Sequence, residues 1–311
     1  MNKKLKSNLE TARMTEKRMT RRLTIPLHGG GRIAIRANAP EEAIHFDGFA
    51  ELLGLTPSFD SDAEDVPADV ELVLPDAMPE DRHILKSTPL TEIAFNPDWS
   101  RILLASWKKK PPRVSYYICY IWQTAVIFAG MNAILRGENA VLVHCAILET
   151  SAGALLIFGE SGMGKSTVSA RWRDHGGKCL SDDMALLDFT APDGLVRVRR
   201  MPTWSACREA LNEWNYPAAD ELPLAGLLAL GRSESGRDEL VPLSPAQFFA
   251  QCYRSIFYWN LFYAKLLPEQ MQAFLIDRIR SQTEFITKRF PPRALLTVLE
   301  GDIVKFIEDN L

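Results

Sequence analysis

The chain has 311 residues, 47% hydrophobic and 24% charged, which is the balance of a globular protein with a substantial core and room for one large domain or two ordinary ones. Its formal net charge of −3 argues against a nucleic-acid binder or a membrane-surface protein. Cys119, Cys145, Cys179, Cys207 and Cys252 are scattered, odd in number and without a C-x-x-C pair, which argues against a disulfide framework or a thiolate zinc site and sets the expectation of a reducing, cytoplasmic setting.

In chain order, residues 1–22 are polar and basic, with eight Lys/Arg against two Glu, and predict a solvated basic tail lacking the apolar stretch of a secretory signal. Residues 23–27 and 32–36 alternate apolar and polar positions around His28-Gly29-Gly30-Gly31, the pattern of a hairpin. Residues 70–74 predict a further strand, and 92–95 with 102–107 a strand pair turned at Asn96-Pro97-Asp98. The acidic, proline-containing segment 58–69 reads as a loop and 108–112 as a connector. Residues 23–115 are therefore expected to form a β-rich N-terminal domain.

Residues 116–135 carry no charge over the length a membrane span requires, but Gln123, Asn132, Thr124, Tyr116, Tyr117 and Tyr120 interrupt them and no second such stretch occurs. The expectation is a helix buried against protein, ending near Gly137. A strand over 140–148 follows, then a turn at Ser151-Ala152-Gly153, an apolar strand over 154–158, a glycine loop, and a helical pattern over 165–175 closed by Gly176-Gly177. Residues 178–181 predict a short strand, 184–189 and 195–199 a hairpin about Pro192-Asp193-Gly194, and 224–230 a buried strand. Residues 245–289 read as mostly helical, and a last helix is expected from Pro292 to about Asp309. Strands and helices mix throughout, so the class is α/β or α+β.

The chemistry concentrates after the apolar strand. Gly159-Glu160-Ser161-Gly162-Met163-Gly164-Lys165-Ser166, followed by Thr167, fits G-x-x-x-x-G-K-[ST] between a strand pattern and a helix pattern. Glycines there let successive backbone N–H groups turn inward as an anion nest, and the following helix aims its positive end at the same point. Lys165 reaches the outer phosphates of a nucleoside triphosphate, and Ser166 offers a hydroxyl to Mg²⁺. Ser181-Asp182-Asp183 ends the next short strand. Adjacent carboxylates on an extended chain point opposite ways, which assigns one to Mg²⁺ and the other to the proton of an acceptor, provided the strand exits beside the glycine loop of a parallel sheet. His144 lies on the preceding strand, where a histidine alone reads as a core residue. Arg197 and Arg199 alternate with Val196 and Val198; with Arg200 they form a basic cluster that reads either as a solvated strand face or as a site for transferring phosphate or an acidic acceptor. Trp204, Arg208 and Trp214 read as packing.

A histidine on a strand, a turn, a strand, the glycine loop, a helix and an aspartate pair, in that order, resemble the HPr kinase/phosphorylase family and, more distantly, the phosphoenolpyruvate carboxykinases. Lys165 precedes Asp182 by 17 residues and follows His144 by 21, spacings similar to those of the family. The resemblance covers residues 140–200. It implies an α/β P-loop kinase domain of the HPr kinase/phosphoenolpyruvate carboxykinase type over 116–311, with the smaller β-rich domain before it. It implies ATP and Mg²⁺, with Lys165 on the β- and γ-phosphates, Ser166 and Asp182 at the metal, Asp183 as base and His144 beside the pair to tune it. The activity implied is transfer of the γ-phosphoryl group to a hydroxyl, serine foremost, of a peptide, protein or small-molecule acceptor. A P-loop NTPase or nucleotide sensor acting on a partner stays open beside it. The resemblance also implies a homo-oligomer, while the near-neutral charge and the interrupted apolar stretch leave no nucleic-acid or membrane partner expected. Thr167 stands where HPr kinases usually carry an acidic residue, and the run Arg197-Val198-Arg199-Arg200 stands in place of their later Arg-Gly-rich signature. These departures point away from HPr as the acceptor and from phosphorylase activity.

Overall fold

The computed structural model describes residues 20–37, 58–60, 68–87, 91–106, 114–201, 221–261, 264–298 and 301–310. The chain is mixed α/β and has two sheets, each in its own compact unit. The first unit comprises residues 1–26 and 31–133, the second residues 27–30 and 134–311.

In the first unit β1 (Thr20–Pro26) and β2 (Arg32–Ala37) form the expected antiparallel hairpin. β4 (Val70–Val73) pairs in parallel with β2 and with β7 (Ile102–Ser106), and β6 (Thr91–Phe95) returns antiparallel to β7. Two strands lie where none was expected. β3 (Ser58–Asp60) pairs with β1 inside the segment read as a loop, and β5 (His83–Ser87) pairs with β6. Both are edge strands, too short or too polar to show an apolar alternation. The long helix α1 (Val114–Leu135) is grouped with this unit up to Ala133, although the sequence places it at the head of the second domain. Its Asn132 donates to the backbone oxygens of Asp69 and Ser100, and residues 124–134 are buried, as expected of a helix packed against protein. Among the described residues no helix is long and apolar enough to cross a membrane.

The second sheet is built on two long strands, β8 (Ala140–Thr150) and β13 (Glu221–Arg232). β9 (Gly153–Phe158) lies between them, antiparallel to β8 and parallel to β13. The expected hairpin forms from β11 (Met184–Asp188) and β12 (Arg197–Arg200), and their pairings with β8 and β13 close a ring through β8, β9, β13, β12 and β11. β10 (Cys179–Ser181) runs along β8, and β15 (Arg293–Thr297) and β14 (Glu239–Pro242) extend the sheet beyond β13. Helices α2 (Lys165–Asp174), α3 (Pro245–Leu261), α4 (Glu269–Thr287) and α5 (Ile303–Glu308) complete the unit.

Two expectations are corrected here. The sheet is mixed, and the last helix does not start at Pro292. Residues 293–297 instead extend as β15 because Ala294 and Leu295 bury themselves beside Ala229 and Leu230 of β13. The helix begins only after Gly301, where the Asp302 carboxylate caps the Lys305 N–H at 3.1 Å.

Val168 and Trp172 of α2 pack into a core of Ala146, Leu148, Leu155, Ile157, Leu228 and Leu295, joined by Ile303 and Ile307 of α5. The helix ends in a Schellman motif: Gly176 takes φ +85°, its N–H bonds Arg173 O at 2.9 Å, and the Gly177 N–H bonds Trp172 O at 2.8 Å. Arg171, buried on the same helix, forms a bidentate pair with Asp238 at 3.0 and 2.6 Å and donates to Thr297 Oγ1, Val298 O and Gly301 O. This one guanidinium ties α2 to the β13–β14 turn and to the chain after β15. The basic tail before Thr20, the connector 108–112, and Cys207, Trp204, Arg208 and Trp214 lie outside the described residues.

Candidate functional site

Strand direction explains why distant residues meet. β9 ends at Phe158, opposite Cys145 of β8 and Ala229 of β13, so His144 and Leu230 flank Gly159 on its two sides. β10 is antiparallel to β8, and β8 is antiparallel to β9; β10 therefore runs the same way as β9 and delivers residues 182–183 to the same end. The expectation of a common exit is met through two antiparallel steps in a mixed sheet, not through a parallel one. The carboxyl ends of strands in an α/β sheet are where ligands are commonly bound.

The loop 159–164 has the shape its sequence dictates. Gly162 and Gly164 take φ +83° and +107°, the left-handed conformation open to glycine. The Met163 N–H bonds Glu160 O at 3.2 Å, and Gly164 caps α2 without a side-chain acceptor on its first N–H groups. A Cβ on Gly159 would sit 3.2 Å from Leu230 Cβ, so that position has little room for a side chain. Lys165 is buried, and its Nζ donates to Gly159 O at 2.8 Å and Glu160 O at 3.2 Å. Burial pulls the Lys165 ammonium below its ordinary range, while Asp183, Cys145 and Asp182 act to raise it. Ser161, Gly162 and Ser166 are exposed and Thr167 is half-buried.

Asp182 and Asp183 occupy the break between β10 and β11, two segments that lie along the same strand, β8. A register shift at Cys179/Ser181 opens the break, and Ser181 Oγ accepts the N–H groups of Asp183 at 3.3 Å and Met184 at 3.1 Å. The pair is thus held in a turn and not on an extended strand, so the strict alternation expected of it does not apply, and both carboxylates act on Lys165. His144 Nδ1 stands 3.0 Å from both Asp183 Oδ1 and the Asp183 backbone oxygen, and the Cys145 N–H bonds that backbone oxygen at 3.1 Å. Neighbouring thiols are inert: burial pushes Cys145, Cys179 and Cys252 up, keeping them protonated at neutral pH.

A cleft of about 560 Å³ opens beside this cluster, lined by His144, the start of the loop, Met163, Leu230 and one face of α3. That face presents Gln251, Arg254 and Ser255, one helical turn apart, and Arg254 Nη1 meets Glu160 Oε1 at 3.1 Å. Sequence reading did not single out these three residues. The available signal was their polar i, i+3, i+4 spacing on a mostly apolar helix. The arginines it did single out stand elsewhere: Arg197 pairs with Asp193, and Arg199 pairs with Glu221 at 2.7 Å, whose other partner is His28. Burial raises the Glu221 carboxyl, but Arg199 and His28 outweigh it and hold it below its usual range.

For Mg²⁺, the donors on offer are the exposed Ser166 hydroxyl and the Asp182 carboxylate, and among the described residues no group of three or more His, Cys, Asp or Glu gathers as a metal cage. One carboxylate and one hydroxyl beside a glycine loop would suit a hard cation that keeps much of its water and takes its remaining ligands from a bound anion.

A family model described as SynChlorMet cassette protein ScmC matches residues 115–310, which takes in every residue of this site and leaves the first unit's sheet outside. No curated protein matches the chain.

Proposed function

The chain belongs to the ScmC family of SynChlorMet cassette proteins, and from the geometry of its site we propose that it binds ATP at residues 159–167 and transfers the γ-phosphoryl group to a hydroxyl of a peptide, protein or small-molecule acceptor seated in the cleft. The observation that carries this reading is the meeting, at one end of the sheet, of a glycine nest, a buried lysine and a histidine-held aspartate.

The acceptor oxygen forms a bond to the γ-phosphorus while the bond from that phosphorus to the β–γ bridging oxygen breaks, its electron pair leaving with ADP. The acceptor proton passes to the Asp183 carboxylate. His144, 3.0 Å away, orients that carboxylate, and Ser181 Oγ fixes the turn that presents it. Lys165 exchanges its bonds to Gly159 O and Glu160 O for bonds to phosphate oxygens, and the N–H groups of the loop and of the first turn of α2 hold the rest. Ser166 and Asp182 would hold Mg²⁺, which would supply charge neutralisation on the phosphates. Catalysis of this kind is positioning and electrostatics, with little covalent chemistry asked of the protein.

Titrating the protein with ATP in the presence of Mg²⁺ tests the reading. Lys165→Ala removes charge-assisted bonds worth about 1.5–3 kcal/mol, a weakening of roughly 10–100-fold. No ATP binding by the unaltered protein, or equal binding by both, would sink it.

A further inference from the structure

A phosphoryl group in transfer spreads negative charge over its equatorial oxygens, and phosphotransferases meet that charge with a further cation besides the lysine of the loop. Arg197 and Arg199 of the basic run after the hairpin are not placed to supply it. Arg197 and Arg199 are engaged by Asp193 and Glu221, and neither lines the cleft. One arginine does line it. Arg254, on α3, stands with His144, Gly159, Glu160 and Ser161 around the same space.

Its present partner is easily exchanged. The Arg254–Glu160 pair is 3.1 Å long, but the two side chains are 70% and 71% exposed. Exposed pairs of this kind hold weakly because water competes for both charges. Glu160 is itself part of the glycine loop, so a guanidinium resting on it is within a side-chain swing of anything the nest holds. Neighbouring Ser255 is buried and Phe248, Cys252 and Ile256 of the same helix are fully buried, which gives Arg254 a rigid base.

We propose that Arg254 is a catalytic residue: its guanidinium leaves Glu160 and bonds the oxygens of the γ-phosphoryl group as that group passes from the bridging oxygen of ADP to the acceptor hydroxyl. This rests on the ATP-dependent transfer proposed above. Arg254 contributes to the transition state and little to the bound ground state, because the β-phosphate and the rest of the nucleotide are held by Lys165 and the backbone of the loop. A planar fork serves this role better than an ammonium, since it places two donors on two oxygens at once.

The test needs no knowledge of the acceptor. A fluorescent ADP is titrated in the presence of Mg²⁺, with and without aluminium fluoride, which stands in for the phosphoryl group in transfer. The unaltered protein should bind the ADP–aluminium fluoride complex more tightly than ADP. Arg254→Ala should leave ADP affinity within about threefold and lower affinity for the complex by about 10²-fold or more, in keeping with the effect of an arginine on transferring phosphate. Arg254→Lys should fall between. Equal affinity of Arg254→Ala and the unaltered protein for the complex overturns the role of Arg254 while leaving the ATP reading intact. A parallel loss of ADP and complex affinity also overturns it, by making Arg254 a ground-state ligand. Failure of the unaltered protein to bind ADP overturns both.

Discussion

Replacing Arg171 with Met should strongly destabilise the second unit. The side chain is 5% exposed and its partner Asp238 9%. Its Nη atoms make five hydrogen bonds to Asp238, Thr297, Val298 and Gly301, and Nε makes a sixth to the same Gly301 oxygen. Methionine keeps most of the volume but leaves the Asp238 carboxylate buried with only Thr297 Oγ1 and the Val298 N–H as donors. Breaking a buried pair from one side costs about 3–5 kcal/mol, because the remaining charge stays desolvated. Converted at about 2–4 °C per kcal/mol for chains of this order of size, the melting temperature should drop by at least roughly 6 °C. Urea unfolding followed by tryptophan fluorescence gives the free energy directly, since Trp172 lies in the core that Arg171 anchors. The double variant Arg171→Met with Asp238→Asn removes both charges and should recover much of the loss. A change below about 1 kcal/mol in Arg171→Met, or a double variant no better than the sum of the singles, would refute the reasoning.

The same pair sets a pH dependence. Burial raises the Asp238 carboxyl, but Arg171, Thr297 and the Val298 N–H together hold it below the ordinary 3.8. A carboxyl depressed in the folded state adds stability that is present above its unfolded pKa and lost as pH falls through the folded one. Acid unfolding of the unaltered protein should therefore steepen below pH 3.8, and Asp238→Asn should lack that component. At the glycine loop, Gly164→Ala meets no atom closer than Thr167 at 4.0 Å but must hold φ +107°. The strain of roughly 1–2 kcal/mol should appear as weaker ATP binding, by calorimetry, with the melting temperature lowered by only a few degrees. Ser181→Ala takes the acceptor from the N–H groups of Asp183 and Met184. Its transfer rate at saturating ATP should fall, by up to about 10²-fold if the carboxylate moves by 1 Å, while ATP affinity stays unchanged.

What the sequence showed follows from how local each feature is. The glycine loop is contiguous, and its shape is fixed by two glycines and the helix that follows, so eight residues suffice to read it. His144 and Asp183 could be matched only through the family resemblance, because His144 lies on β8 while Asp183 lies in the break between β10 and β11. Arg254 could not, since its partner Glu160 lies 94 residues away and only the packing of α3 against the sheet brings them together. Arg171 and Asp238, 67 residues apart, were invisible for the same reason. The misread chain end has a different cause. Residues 293–297 are apolar enough for either state, and their parallel pairing with β13 decided it. Arg197 and Arg199 of β12, whose pattern left a solvated strand face and a phosphate site both open, are used for ion pairs with Asp193 and Glu221.

Transfer from γ-labelled ATP with Mg²⁺, run on the purified protein alone and with an extract of its source cells, goes straight to the proposed activity. The expected result is a discrete labelled acceptor formed by the unaltered protein and lost with Asp183→Asn, a loss of about 10²–10⁴-fold in rate for a general base, with ATP binding retained. Label released only as free phosphate, at the same rate in both proteins, would contradict a hydroxyl kinase and the role given to Asp183.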